Sequence, residues 1–71
     1  MKNNDLQGTI TGVDVELVGK DGNAFYILGA VISAMEKAGI SKEVQDQYLR
    51  EAKSSDYNNL LRVTMKYVTI L

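Results

Sequence analysis

Few side chains in this sequence of 71 residues could carry out chemistry, because it contains neither histidine nor cysteine. Histidine is the commonest general base and metal ligand, and cysteine supplies nucleophilic and metal-binding thiolates. Catalysis would have to rest on carboxylates, lysine, tyrosine or serine, and no two of these stand at a diagnostic spacing. We therefore expect no enzyme, no catalytic residue, no metal site and no cofactor.

One carboxylate pair, Asp14 and Glu16, is spaced for a shared site. On a β-strand these side chains would project from the same face, and carboxylate oxygens bind hard cations. Neighbouring acids on an exposed strand face are more often simply solvated. We expect solvated carboxylates here.

A glycine-bearing turn at residues 19–23 contains a lysine and precedes a predicted helix. A phosphate-binding loop needs a longer run in which the lysine follows the last glycine, whereas Lys20 precedes Gly22. Asp21 beside the helix entry also disfavours an anion. The pattern therefore predicts a structural turn.

Two features suggest nucleic-acid binding. Residues 38–41 join two predicted helices as in a helix-turn-helix, but the second helix carries acidic residues and the net charge is −1. The cations that could cluster on one side are Arg50, Lys53, Arg62 and Lys66. A nucleic-acid-binding accessory protein is the alternative function, and an ordinary solvated face is the expected meaning of these cations.

The element that organises the rest is a helix predicted over residues 24–38. Asn23 is a preferred N-cap residue, because its side-chain oxygen can accept from an N–H of the first turn. Gly39 suits the left-handed residue that ends a helix, with Ile40 folding back on Met35 in a Schellman motif. Both ends of the helix are therefore predicted from local chemistry.

Residues 24–32 are nearly all apolar or small, a pattern typical of a helix buried on several sides. The run is too short to cross a membrane, which takes about 20 apolar residues. Small residues recur one turn apart at Gly29, Ala30, Ser33 and Ala34. We expect them to allow close packing within the monomer, with a helix–helix dimer seam as the alternative.

The sequence becomes β-like from about residue 10 to residue 18, and the alternation of apolar and polar side chains predicts a strand over residues 13–18. Gly8 and Gly12 are expected to mark a bend or bulge before it. The inward residues would be Val13, Val15 and Leu17. A lone strand needs a partner for its backbone groups. The candidates are the β-branched residues 67–71, a hairpin with residues 6–11, or the same strand of a second molecule.

A second helix is predicted over residues 42–53, with Ser41 as its N-cap and Asp46 spaced to pair with Arg50. Its apolar stripe would be Val44, Tyr48, Leu49 and Ala52. Its solvent face would be Lys42, Gln45, Gln47 and Glu51.

A third helix is predicted over residues 57–65 or beyond, capped by Asp56. Its apolar face would contain Tyr57, Leu60, Leu61, Thr64, Met65 and Val68. For residues 66–71 the sequence leaves two alternatives open, a continuation of this helix or a short strand, and the β-branched and aromatic residues 67–71 are compatible with the strand.

These elements predict one small α+β domain over residues 8–71, with a flexible terminus at residues 1–7. It would have one N-terminal strand and three helices, the first of them central and buried. The first residues contain no apolar signal segment, so we expect a cytoplasmic protein that does not enter the membrane.

Several short motifs resemble a group of short bacterial proteins of unknown function, often found in phage or prophage-like settings. The motifs are DGNAF at residues 21–25, ILG at 27–29, AG at 38–39, DY at 56–57 and LL at 60–61. The resemblance covers residues 16–68, and a glycine often stands in that group where this chain has Ser55. It implies a bacterial or phage context and no particular mechanism.

The function expected from these observations is a small protein–protein interaction module. A chain of this size has a small core, and tyrosine is enriched at interfaces. The partner would be an unidentified protein or a second copy, as a homodimer. The individual tyrosines are expected to be core or half-buried packing residues: Tyr26, Tyr48, Tyr57 and Tyr67.

Overall fold

The computed structural model describes residues 9–17 and 22–71. Its elements in chain order are β1 (Val13–Val15), α1 (Ala24–Lys37), α2 (Lys42–Ala52), α3 (Tyr57–Tyr67) and β2 (Val68–Ile70). The predicted α+β class is confirmed. The predictions for residues 1–8 and 18–21 lie outside the described residues. None of the described helices is long and apolar enough to cross a membrane.

The strand at the start of the domain pairs with the C-terminal segment, the first of the three predicted candidates. The two strands are parallel, with Val13 opposite Val68 and Val15 opposite Ile70. Three helices separate the strands in sequence and form the crossover that parallel pairing requires. Val15 and Val68 are buried while Asp14 is exposed, so the predicted alternation is confirmed.

The first strand begins at residue 13 as predicted but covers only three residues of the β-like stretch at residues 10–18. Gly12 has a positive φ of 71°, which interrupts the extended backbone just before β1. The Thr9 hydroxyl accepts a hydrogen bond from the Gly12 N–H at 3.0 Å, and the Thr11 hydroxyl accepts one from the Val13 N–H at 3.2 Å. These local side-chain bonds favour a turn over a longer strand.

All three predicted N-caps are confirmed. The Asn23 side-chain oxygen accepts from the N–H groups of Phe25 and Tyr26 at 2.7 and 3.2 Å. Ser41 and Asp56 each accept from the N–H three residues ahead, at 3.3 and 2.9 Å. These bonds satisfy donors that have no partner within the helix.

The Schellman ending of α1 is also confirmed. The Ile40 N–H donates to the Met35 carbonyl at 2.9 Å, and the Gly39 N–H donates to the Glu36 carbonyl at 3.1 Å. Gly39 has a φ of 79°, a left-handed conformation that a residue without a Cβ adopts at little cost.

The core lies between the inner face of the sheet and one face of each helix. α1 contributes Ile27, Leu28, Val31 and Met35. The remaining buried apolar residues are Val15, Tyr48, Ala52, Leu60, Val63, Tyr67 and Val68.

The predicted apolar face of α3 is confirmed at Leu60, Thr64 and Val68, which are buried. It is wrong at Met65, which is 57% exposed, and it omits the buried residues Val63 and Tyr67. Asn59 also contacts α2, since its side-chain amide donates to the Glu51 backbone carbonyl at 2.9 Å. Contacts of this kind between helices are not visible in the apolar pattern of α3 alone.

The predicted solvent face of α2 is wrong at Gln45, which is only 6% exposed. Its side-chain amide donates to the Ile40 carbonyl at 3.0 Å, so the buried polar group is satisfied. The predicted ion pair between Asp46 and Arg50 is also not formed. Both are exposed, where a pair gains little over separate hydration.

Candidate protein-interaction surface

An apolar depression of about 280 Å³ opens where the start of α1, the end of α2 and the start of α3 meet. The buried residues that line it are Leu28, Ala52 and Leu60. Its rim consists of Ala24, Phe25, Lys53, Ser55, Asp56 and Tyr57. We call this depression the helix-junction notch. Its volume is close to the lower end of the range of about 300–1,000 Å³ for small-molecule pockets.

Local sequence signals place the three helix ends that form the notch. α2 ends at Ala52, and α3 begins after the Asp56 cap. The Tyr57 hydroxyl donates to the Gly22 carbonyl at 2.6 Å, which ties the start of α3 to the turn before α1. Gly22 has a φ of 70°, a conformation that favours glycine, and a Cβ added there would lie in tight contact with the Tyr57 Oη at 3.0 Å.

Phe25 is the most exposed large apolar side chain among the described residues, at 83%. Ile27 and Val31 of the same helix point into the core, and Phe25 falls on the side opposite Ile27. The prediction that residues 24–32 are buried on several sides is wrong at Phe25. The signal was its position on the helical wheel relative to Ile27 and Val31.

A line of exposed residues continues from Phe25 along α1 through Gly29 and Ser33. A Cβ added at Gly29 would meet nothing within 4 Å. The predicted close packing within the monomer is therefore wrong at Gly29 and Ser33, although Ala30 and Ala34 are half-buried against the core. The alternative, contact with another molecule, stays a prediction for this face.

The tyrosines divide into two groups. Tyr48 and Tyr67 are fully buried and Tyr26 is half-buried, so the predicted packing role is confirmed for these three. The prediction is wrong for Tyr57, which is 43% exposed at the rim of the notch.

Tyr48 and Tyr67 form the polar part of the core behind the notch. The Tyr48 and Thr64 hydroxyls lie 2.8 Å apart, and the two tyrosine rings meet edge to face at 5.4 Å between centroids. The buried Tyr67 Oη has no hydrogen-bond partner among the described residues. Burial raises the pKa of Tyr48, against the effect of the Thr64 hydrogen bond. Burial also raises the pKa of Tyr67, and the nearby Glu51 carboxylate adds to the effect.

One surface ion pair links α2 to α3, with the Lys66 Nζ 3.0 Å from the Glu51 Oε1. The hydrogen bond from Lys66 lowers the pKa of Glu51, and the same bond raises the pKa of Lys66. Lys66 also lies 5.8 Å from the centre of the Tyr67 ring. This contact covers the buried Tyr67 side chain.

The four cations considered for nucleic-acid binding do not line one depression. Lys53 belongs to the notch, whereas Arg62 and Lys66 line a second depression of about 200 Å³ with Asn59 and Val63. Arg50 lines neither depression. Because Lys66 is paired with a carboxylate, the second depression has less positive charge than its residues suggest.

The acidic residues described in the structure form no group of three or more that could hold a metal ion. Asp14 and Glu16 are both exposed, as expected for solvated carboxylates. Of the glycine–lysine turn, residues 19–21 lie outside the described part of the chain. The Asn23 side chain that follows the turn acts as the helix cap.

Comparison of the chain with protein families, with curated proteins and with solved structures gave no match. The resemblance to short bacterial and phage-associated proteins therefore stays an expectation. Evidence on function comes from the geometry of the notch and its rim.

Proposed function

We propose that the protein is a small protein–protein interaction module that binds its partner through the helix-junction notch and Phe25. The observation that carries the proposal is the exposure of Phe25, 83%, on the rim of an apolar depression of about 280 Å³. Exposed apolar patches mark interaction sites, and aromatic residues are enriched in interfaces.

The arrangement resembles the energetic centre of a protein interface. Burying a phenylalanine side chain is worth about 1.5–3 kcal/mol, and Phe25 remains nearly fully available for this. Lys53, Ser55 and Asp56 place polar groups around an apolar floor, which is the pattern of a binding centre shielded from water by a polar rim. The partner should therefore present an apolar side chain to the notch and an apolar patch to Phe25.

The proposed activity is binding without turnover and without a cofactor. The expected setting is the bacterial cytoplasm, including cells that carry phage or prophage genes, in line with the resemblance of the sequence motifs. Nucleic-acid binding is the competing function, and the experiment below includes an arm that detects it.

The proposal is tested by affinity capture from a lysate of the encoding organism, using the wild type and two matched variants, with and without nuclease. F25A removes the exposed ring, and M65A removes an exposed apolar side chain that does not line the notch. We expect the same protein to be enriched by the wild type and M65A, with or without nuclease, and to be lost with F25A. Equal capture by F25A would contradict the proposal, and capture lost on nuclease treatment would favour nucleic-acid binding.

A further inference from the structure

We infer that the notch is filled by the Phe25 side chain of a second copy of this chain. Each molecule of a two-fold dimer would insert its Phe25 into the notch of the other. This inference rests on the proposed function and names the partner.

The inserting side chain, Phe25, and the receiving notch lie next to each other on the surface. Phe25 lines the rim of the notch and is also the most exposed apolar side chain described. In a two-fold interface each contact occurs twice, so a residue of the first copy binds a site on the second copy and the same residue of the second copy binds the same site on the first. The notch, at about 280 Å³, has room for one ring, since an apolar cavity of about 150 Å³ can hold benzene.

The charges on the rim are compatible with a second copy. Lys53 and Asp56 are both exposed, one on each side of the connection between α2 and α3. A two-fold axis lets Lys53 of one molecule face Asp56 of the other, a self-complementary arrangement. With a net charge of −1, two copies repel each other very little.

Gly29 leaves the α1 backbone beside Phe25 accessible to a second molecule. It is exposed one turn beyond Phe25, and no neighbouring atom lies within 4 Å of where its Cβ would be. Packing in the monomer therefore does not require a glycine, a residue that destabilises a helix relative to alanine. The missing side chain lets a second molecule approach the α1 backbone beside Phe25.

The contact is small compared with a standard interface, which buries about 1,600 Å² in total. It comprises two rings, two notches and the adjoining turn of α1. We therefore expect a weak dimer whose population depends on concentration across the micromolar to millimolar range.

The first test is sedimentation equilibrium over that range. The apparent molecular mass of the wild type should rise with concentration from 7.8 kDa toward twice that value. M65A should show the same rise, and F25A should stay monomeric. In S55W the indole should occupy the notch of its own molecule, so this variant alone should also stay monomeric. A mixture of F25A and S55W should associate more than either variant alone and more weakly than the wild type, because it can form only one of the two contacts, with Phe25 of S55W in the open notch of F25A.

The second test locates the ring directly. In a mixture of isotope-labelled and unlabelled wild type, isotope-filtered NMR should show contacts between the Phe25 ring of one copy and the Leu60 methyl groups of the other. Unchanged circular dichroism of F25A and S55W shows that both variants are folded. A wild type that stays at 7.8 kDa, or an F25A variant that dimerises like the wild type, would overturn the inference. If the wild type is monomeric and still captures another protein through Phe25, the proposed function stands and only this inference fails.

Discussion

The Tyr48 hydroxyl on α2 and the Thr64 hydroxyl on α3 lie 2.8 Å apart in the core. Both side chains are fully buried, so each hydroxyl is satisfied by the other where water has no access. The bond fixes how α2 lies against α3. Since the end of α2 and the start of α3 form two sides of the helix-junction notch, this buried pair positions the proposed interaction surface.

Removing one member of this pair should leave a buried hydroxyl without a partner. We expect Y48F and T64V each to lower the free energy of unfolding by about 1–3 kcal/mol. The double variant should lose less than the sum, because both polar groups are then absent. Urea denaturation of all four proteins measures these values. Additive losses would show that the two hydroxyls are not coupled.

Y67F should behave differently from Y48F. The Tyr67 Oη is buried with no hydrogen-bond partner among the described residues, so its removal takes away an unsatisfied polar group. We expect a change of less than about 1 kcal/mol, or a gain in stability. The same denaturation experiment applies, with Y48F as the control for a paired hydroxyl. A loss as large as that of Y48F would mean that Tyr67 does form a hydrogen bond.

Stability should decrease in alkaline solution. Burial raises the pKa of Tyr48 and of Tyr67, so in the folded state both keep their protons to higher pH than in the unfolded state. The unfolded chain then binds fewer protons above about pH 10, and stability falls as the pH rises through the folded-state pKa values. Denaturation at a series of pH values, with tyrosinate absorbance, measures this. Y67F should show a shallower decline, and an unchanged decline would exclude Tyr67 as a contributor.

The Glu51–Lys66 ion pair should contribute to stability at neutral pH and lose that contribution in acid. Because Lys66 lowers the pKa of Glu51, the contribution is present above the unfolded value of about 4.3 and is lost as the pH falls through the lower folded value. The effect is small and sensitive to salt, since both groups are at the surface. E51Q should flatten the acid side of the stability curve relative to the wild type. An E51Q curve parallel to the wild type below pH 5 would contradict this.

Alanine should have opposite effects at two glycines of similar exposure. At Gly29 the helical backbone and the open space favour alanine by about 1 kcal/mol, so G29A should raise the melting temperature of the monomer. At Gly39 the φ of 79° is strained for alanine, and G39A should lower stability by about 1–2 kcal/mol. Thermal unfolding at low protein concentration compares the two. A destabilised G29A monomer would show that the space beside Gly29 is occupied.

The three N-caps and the C-terminal ends of α1 and α2 could be predicted from the sequence because their causes lie within a few residues, whereas the end of α3 could not. Asn23, Ser41 and Asp56 act on N–H groups two or three positions ahead. Gly39 ends α1 through bonds to carbonyls three and five positions back, made by its own N–H and that of Ile40. Because the donor and acceptor of each bond lie within five residues of each other, local residue types are sufficient to predict these bonds once the helices are packed.

The notch and its exposed ring depend on how the helices pack. Phe25 belongs to an apolar run that is compatible with burial. It is exposed because α1 packs against the core through the face that carries Ile27 and Val31. Gln45 is buried because the Ile40 carbonyl lies within reach of its amide.

Short-range hydrogen bonds and side-chain periodicity in the sequence were sufficient for the α+β class, both ends of α1 and α2, the start of α3 and the alternation of β1. Long-range packing was needed for the parallel pairing of β1 with β2, the burial of Val63 and Tyr67 on α3, and the position of Phe25 beside an apolar notch. These outcomes come from contacts between residues far apart in the chain, whose free energies depend on all the packed surfaces together.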